Sequence, residues 1–462
     1  MIGAGRILSS AVPRLDRIVT KYRNKTCFDT TQPDILRFMR ILRRSDFPPF
    51  LAAVADSQSR GASLPRNSET PPSLSPSCDG VSRGRVYKPI FHYSTLLLIA
   101  LFLAAHPAHA VDLYWDINSI IAGSGGPTPS GSWGTALTSN WNTDSTGGAG
   151  TFQSTTATDD LHFSAGTDAT GAYTVTTSGN KLANNIFFDE GTVTISPATA
   201  SQTLTLSSGA SITNSSGNLA TIGIDVVGTS TLSVLGANSV SFARVSGVAA
   251  LTMTLGATGD VSTRVVTLGN STGGTPDNSN LGVIVNSGTL LVTKNTGNAA
   301  PSGVTVNNSG TLFAGAGTVG PVTVNTGAKI SPGTTTNGTG ILNTGALTFN
   351  GTSAYLVDIS GSTSDKLAIT SSLNLSGTTD QITFSGTADG TTTYVLATYG
   401  SVNGTFNTVN NLPSGYQLVY GTNELDMTPV PEPSTWAAGV LMAAALGYSQ
   451  RRRLRRLVKS TA

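Results

Sequence analysis

The sequence predicts an all-β body wound as a single-stranded β-solenoid (a parallel β-helix), with a helix at its C-terminal end. Three observations carry this. From about residue 172, apolar residues alternate with Thr or Ser, as in Tyr173-Thr-Val-Thr-Thr, Thr203-Leu-Thr-Leu and Leu251-Thr-Met-Thr-Leu. A period of two marks strands with one inward face. Gly and Asn punctuate these runs as turns, and no amphipathic helix stands out between 111 and 430. The runs also recur: Ser309 to Thr326 is 17 residues, Asn325 to Asn343 is 18, Leu232 to Leu251 is 19 and Val283 to Val304 is 21. A repeat of about 20 residues fits one coil of a solenoid, which buries its inward Val, Leu and Ile only by stacking on its neighbours. A β-sandwich with chance spacing is the competing arrangement, and the short strands and frequent turns favour the solenoid.

Composition narrows the function. The chain has 462 residues, 52 of them Gly, and 11% are charged, against about 25% in ordinary globular chains. The net charge of +2 hides an asymmetry. Residues 1–90 hold 15 bases and 7 acids, and residues 451–462 hold six bases and no acid. The stretch 111–450 keeps six bases against 18 acids, a net of −12. An acidic body repels phosphate backbones, which argues against nucleic acid as a partner. Both cysteines, Cys27 and Cys78, precede residue 79, so the body holds no disulfide, thiolate metal site or Cys nucleophile.

Residues 1–85 form a basic, Pro/Ser-rich extension, disordered or the product of a mis-assigned start, with a weakly helical piece around Asp34–Arg44. Residues 86–110 read as a signal peptide for the general secretion machinery. Arg83, Arg85 and Lys88 precede the apolar run Leu96–Ala105, and Ala108 and Ala110 take the small positions of a signal-peptidase site, with cleavage expected after Ala110. No Met lies between Met39 and that run, so a later start would use another codon, such as that of Val81 or Val86.

Residues 111–190 open the body with Trp115, Trp133 and Trp141, three of its four tryptophans. Two roles are open to them: a cap that plugs the end of the apolar column, as terminal repeats require, or a platform on which sugar rings stack. The cap is favoured. Solenoid repeats follow over 191–354. Larger apolar residues over 355–428, among them Tyr355, Phe384, Tyr394 and Tyr416, close the lower end.

Residues 429–456 form the tail. Pro431-Glu432-Pro433 precedes an uncharged stretch, Ser434–Gln450, and then Arg451, Arg452, Arg453, Arg455 and Arg456. The two prolines should keep the tripeptide extended and outside any helix. Seventeen residues of helix would span about 25 Å, enough for a transmembrane helix with snorkelling arginines, and the Arg cluster should stay cytoplasmic.

This arrangement resembles the PEP-CTERM sorting signal of Gram-negative bacteria. The resemblance implies that Pro431, Glu432 and Pro433 are read by an exosortase, that Ala437–Tyr448 is a transient anchor and that the arginines stop transfer. Tyr114-Trp115-Asp116, the Trp133 and Trp141 pair, and the coil Gly310-Thr311-Leu312 to Ile330-Ser331-Pro332-Gly333 resemble the autotransporter-associated β-strand repeat proteins. That resemblance implies a right-handed β-helix at the cell surface, and the crossover rule gives the same hand. One departure stands out: after Met427 the sorting tail takes the place of an outer-membrane barrel, so self-secretion is not expected.

The residues offer little chemistry. Asp159-Asp160, Asp189-Glu190, Asp358 and Asp365 are candidate acid pairs for glycoside chemistry, which needs two carboxylates facing one bond. His162 is the only His of the body. Phosphate-cradling loops and calcium nonapeptides are absent from the sequence. The expectation is a non-enzymatic structural or adhesive protein, without catalytic residues, metal or cofactor, inner-membrane-anchored as a precursor and then delivered to the envelope or extracellular matrix of biofilm-forming cells, where exopolysaccharide is a partner. The alternatives are a polysaccharide lyase or hydrolase on the same solenoid, and a stably anchored adhesin.

Overall fold

A computed structural model describes residues 110–134, 140–257, 263–269, 278–293, 296–333, 338–430 and 433–460. The described chain is mostly β, in long parallel sheets compatible with a β-solenoid and without a closed barrel.

Alternation of Thr or Ser with Val, Leu or Ile makes each strand amphipathic, and short Gly and Asn turns carry the chain to the next side. One coil shows the pattern. Ala210–Asn214 lies in a first sheet, Ala220–Ile222 in a second and Asp225–Gly228 in a third. Thr231–Gly236 then returns beside Ala210–Asn214, with Ala210 opposite Leu232. The first sheet has 13 strands and runs from Trp141–Asn142 and Asp112–Trp115 at one edge to Ser401–Gly404 at the other. The second runs from Gly131–Trp133 to Thr408–Asn410. The third side carries a four-stranded sheet ending at Val245–Gly247 and, farther along, a five-stranded sheet starting at Ile341–Thr344. Antiparallel pairing occurs at the first edge, in the hairpin of Thr363–Ser364, and among Tyr394–Thr398, Glu424–Pro429 and Tyr416–Tyr420.

Register stacks like on like. Leu113, Leu161, Ile186, Ile212, Val234, Leu255, Val285, Val306, Val324 and Phe349 follow one another in a single inward column. All are buried, each resting on its equivalent about 4.8 Å away.

Two expected spacings differ from the pairing. Leu232 lies opposite Met253, not Leu251. A slip of two residues keeps the same face inward, so alternation alone does not distinguish the two. Val283 does lie opposite Val304. The Asn repeat also shifts. Asn307, Asn325 and Asn350 each donate a side-chain N–H to the Asn oxygen one coil back, at 3.0, 2.7 and 2.9 Å, in a ladder that begins at Asn286. The sequence pattern instead pairs Asn308 and Asn343 with this column. Asn343 lies on the third side, beside Ala368.

The C-terminal helix spans Pro433–Ser460 and continues through the Arg cluster. Pro433 is its first residue, contrary to the expectation that the proline stays outside. Proline lacks only an N–H that the first turn leaves unused, and its φ suits a helix start. Among the described residues no helix is long and apolar enough to cross a membrane. Ser434, Thr435, Ser449 and Gln450 dilute the uncharged stretch, and its continuous apolar part is far shorter than about 20 residues.

Candidate functional site

The three tryptophans meet at the first edge of the two long sheets, because Asp112–Trp115 and Trp141–Asn142 are neighbours and Gly131–Trp133 begins the second sheet. Each is fully buried. Trp141 packs edge-on against Trp115, Trp133 and Phe163, with centroids at 5.3, 5.1 and 5.2 Å. The Trp115 indole donates to the Pro129 carbonyl at 2.7 Å, and that of Trp133 to Thr155 Oγ1 at 3.1 Å. The Trp141 indole N–H is buried without a partner among the described residues. A ring with no exposed face has no surface for a sugar, so these residues do not form a stacking platform. Lys181, also buried, donates to the Gly134 carbonyl at 2.8 Å, and burial lowers its amine to about 8.

A second aromatic group lies on the outer face of the first sheet, on Asp112–Trp115, Asp160–His162 and Ile186–Phe188. Tyr114 stacks on His162 at 4.7 Å, and His162 on Phe187 at 4.5 Å with planes 6° apart. Register causes this, since Tyr114 lies opposite His162 and His162 opposite Phe187. His162 Nδ1 is 2.9 Å from Asp189 Oδ2. On the same strand, Asp160 Oδ1 accepts from the side chains of Asn184 and Asn185, both at 2.9 Å. Sequence reasoning treated His162 alone and missed the stack. The signal is present as a repeat: Asp112-Leu-Tyr-Trp, Asp160-Leu-His-Phe and Asn185-Ile-Phe-Phe share one pattern of polar, inward aliphatic, outward ring and inward ring.

The candidate acids are held by donors of nearby turns and strands. Asp159 accepts from Thr156 N–H and Oγ1 at 2.7 and 2.8 Å. Glu190 accepts from Ser164 Oγ and Ala169 N–H, both at 3.1 Å. Asp358 accepts from Ser385 Oγ. Asp365, fully buried, accepts from the N–H groups of Gly340 and Asp358 at 2.8 and 3.1 Å. Burial raises its carboxyl to about 7 despite those donors, and the Asp358 charge adds to the rise. These carboxylates hold turns and strand ends in place. Among the described residues no group of three His, Cys, Asp or Glu could hold a metal ion.

Outside these groups the first sheet carries one largely hydroxylic outward column, Ser211, Ser233, Thr254, Thr305, Thr323 and Thr348, interrupted by Ile284. Along the tail, the side chains of 437–453 are all exposed, with Val440, Leu441 and Met442 at 67%, 69% and 65%. Ala110, the residue before the expected cleavage point, is exposed, whereas Val111 packs against the core. Ala108, Pro431 and Glu432 lie outside the described residues, as do the side chains of Arg455 and Arg456. Compared with known proteins, the chain matches no family model and no curated protein.

Proposed function

We propose that the chain is an exported, non-enzymatic structural or adhesive protein, sorted through its C-terminal tail by an exosortase-type enzyme and delivered to the cell envelope or extracellular matrix. The body would be a single-stranded, right-handed β-solenoid, since parallel crossovers take that hand. The observation that carries the reading is the tail. A helix that starts at Pro433, the last residue of the Pro-Glu-Pro tripeptide, carries an apolar stretch with exposed side chains over 437–448 and continues through the Arg cluster. An apolar helix surface without a protein partner calls for another apolar medium.

In this reading signal peptidase releases the chain after Ala110, and the tail holds the precursor at the inner membrane until Pro431-Glu432-Pro433 is read. The helix is short for a span, so the arginines and a local thinning of the bilayer would complete it. The hydroxylic outer column then meets exopolysaccharide or other copies. The test is the intact mass of the mature protein from cell surface and medium, with both termini sequenced. A start at Val111 and loss of everything after about Pro433 supports the reading. Retention of Arg451–Arg456 overturns the sorting step and makes the tail a permanent anchor.

A further inference from the structure

One strand presents a long, unguarded edge. Tyr416–Tyr420 is the last strand of the five-stranded sheet, and among the described residues it pairs with Glu424–Pro429 alone. The other strands that end a sheet among the described residues have two to four residues, and this one has five. Natural edges are blunted by shortness, charge, proline or a bulge. Tyr416-Gln417-Leu418-Val419-Tyr420 carries no charge, no proline and no glycine, and its register with Glu424–Pro429 is unbroken. Tyr and Val favour strands, and Val419 is 39% exposed.

The pairing pattern fixes which backbone groups are left over. Gly421 N–H donates to the Glu424 carbonyl at 2.8 Å, and Val430 N–H donates to the Gly415 carbonyl at 2.7 Å. Bonded and non-bonded positions alternate in an antiparallel pair, so the backbone groups of Gln417 and Val419 bond Glu424–Pro429. The N–H and C=O groups of Leu418 and Tyr420 then point to the open side, together with the Tyr416 carbonyl. The Tyr416 N–H turns back to the Pro413 carbonyl at 3.2 Å. Bonds to the body hold the strand in place. The Tyr420 hydroxyl accepts from Phe406 N–H at 3.0 Å, and the Tyr399 hydroxyl meets the Gly421 and Glu424 carbonyls at 3.0 and 2.7 Å. An edge already held in its bound shape loses little freedom on pairing.

The sequence of the strand selects its partner. Tyr416-Gln417-Leu418-Val419-Tyr420 reads nearly the same in both directions. A second copy laid antiparallel about Leu418 sets Tyr416 beside Tyr420, Leu418 beside Leu418 and Gln417 beside Val419. In that register the two Leu418 residues exchange N–H···O=C bonds, and each Tyr420 N–H meets a Tyr416 carbonyl, so the groups on the open side find partners. Tyr416, Leu418 and Tyr420 share the less exposed face of the strand, so aromatic meets aromatic and aliphatic meets aliphatic across the seam. The strand itself is uncharged, so it sets no like charges directly opposite each other. A two-fold contact needs one self-complementary patch, and a strand of this symmetry supplies it.

We propose that Tyr416–Tyr420 is a self-association edge, through which two copies of the chain join antiparallel and run their five-stranded sheets into one. Main-chain bonds supply the affinity and the alternate side chains set the register, as in other cases of strand addition. One short strand on each side makes a small contact, which belongs with weak, concentration-dependent interfaces in the micromolar range. The contact uses the body alone and does not depend on the sorting tail.

The test is sedimentation equilibrium of the full chain in mild detergent, from about 1 to 100 µM, alongside Leu418→Pro and Val419→Lys. Proline at 418 removes an N–H that points to the open side and leaves the bonds to Glu424–Pro429 in place. Lysine at 419 sets a charge beside the seam. A monomer–dimer equilibrium is expected in the parent, and association weaker by about tenfold or more in both variants, with unchanged circular dichroism. A second measurement reads the register in a chain carrying Cys27→Ser and Cys78→Ser. There Leu418→Cys should form a disulfide-linked dimer on oxidation, since directly opposed residues lie about 5.5 Å apart. Gln417→Cys, set diagonally at about 7–8 Å, should not. A parent that stays monomeric throughout overturns the proposal. So does association undiminished in both variants, which puts the contact on the tail helix or another surface. Should Leu418→Pro fail to fold, Val419→Lys and the two cysteine variants still decide it: equal cross-linking at 417 and 418 removes the two-fold register.

Discussion

Asn325 donates its side-chain N–H to Asn307 Oδ1 at 2.7 Å, across one step of the parallel stack. Asn307 in turn donates to Asn286, so its amide is bonded on both sides and its loss strands a partner above and below. Asn307→Ala is expected to cost about 2 kcal/mol. Asn343→Ala, which gives up one long bond to Gly317 at 3.3 Å, should cost less than about half of that. Urea unfolding followed by circular dichroism measures both, and equal costs would show that the ladder is not cooperative.

The tryptophan cluster separates packing from hydrogen bonding. Trp115→Phe loses ring volume and a buried 2.7 Å bond to Pro129, whereas Trp141→Phe loses ring volume and an N–H without a partner. Trp115→Phe should therefore be the more costly by about 1 kcal/mol. The same unfolding measurement reads the difference, and a larger loss for Trp141→Phe would reverse the argument.

Asp365 predicts a pH dependence. Its carboxyl is raised to about 7 in the fold from an ordinary 3.8. Between those values the folded chain keeps a proton that the unfolded chain releases, so stability falls as pH rises through the window and levels above about pH 7. The fall is on the order of 4 kcal/mol, at 1.36 kcal/mol per unit. Asp116, Asp380 and Asp426 are raised in the same direction, so the contribution of Asp365 is the difference between the parent and Asp365→Asn. Unfolding midpoints from pH 4 to pH 8 should slope less in the variant; parallel curves would remove Asp365 as the cause.

The tail reading predicts an electrostatic component. Replacing Arg451, Arg452 and Arg453 by alanine should weaken binding of the full chain to vesicles containing about one-third anionic lipid, by about 1 kcal/mol for each arginine near the surface. Vesicle co-sedimentation at low and high salt measures it. Binding that ignores both the substitutions and the salt would leave only the apolar half of the helix as the anchor.

Strand existence and inward faces were legible in the sequence because alternation is a local property. Tyr173-Thr-Val-Thr-Thr reads as a strand, and Ala172–Thr177 is one, with Tyr173 and Val175 buried. Register was less legible. Parallel partners one coil apart are separated by as few as 17 residues, between Leu312 and Lys329, and as many as 48, between Asp112 and Asp160. A longer connection between strands costs little, so a fixed period drifts away from the true pairing. Asn343 was misplaced for this reason: the chain after Pro332 adds Ile341–Thr344 on the third side before Leu347–Phe349 returns to the first sheet. The outward stack of Tyr114, His162 and Phe187 was not legible as a contact, because 48 and 25 residues separate partners that only the strand pairing brings together.

The inward column from Leu113 to Phe349 makes every coil answer only to the coil before and the coil after. Length is then a free variable. Duplicating or deleting one turn would move the tryptophan cluster relative to the C-terminal strands by about 4.8 Å while leaving both ends chemically unchanged. The molecule works as a ruler with interchangeable divisions, and selection could set its reach without redesigning either end.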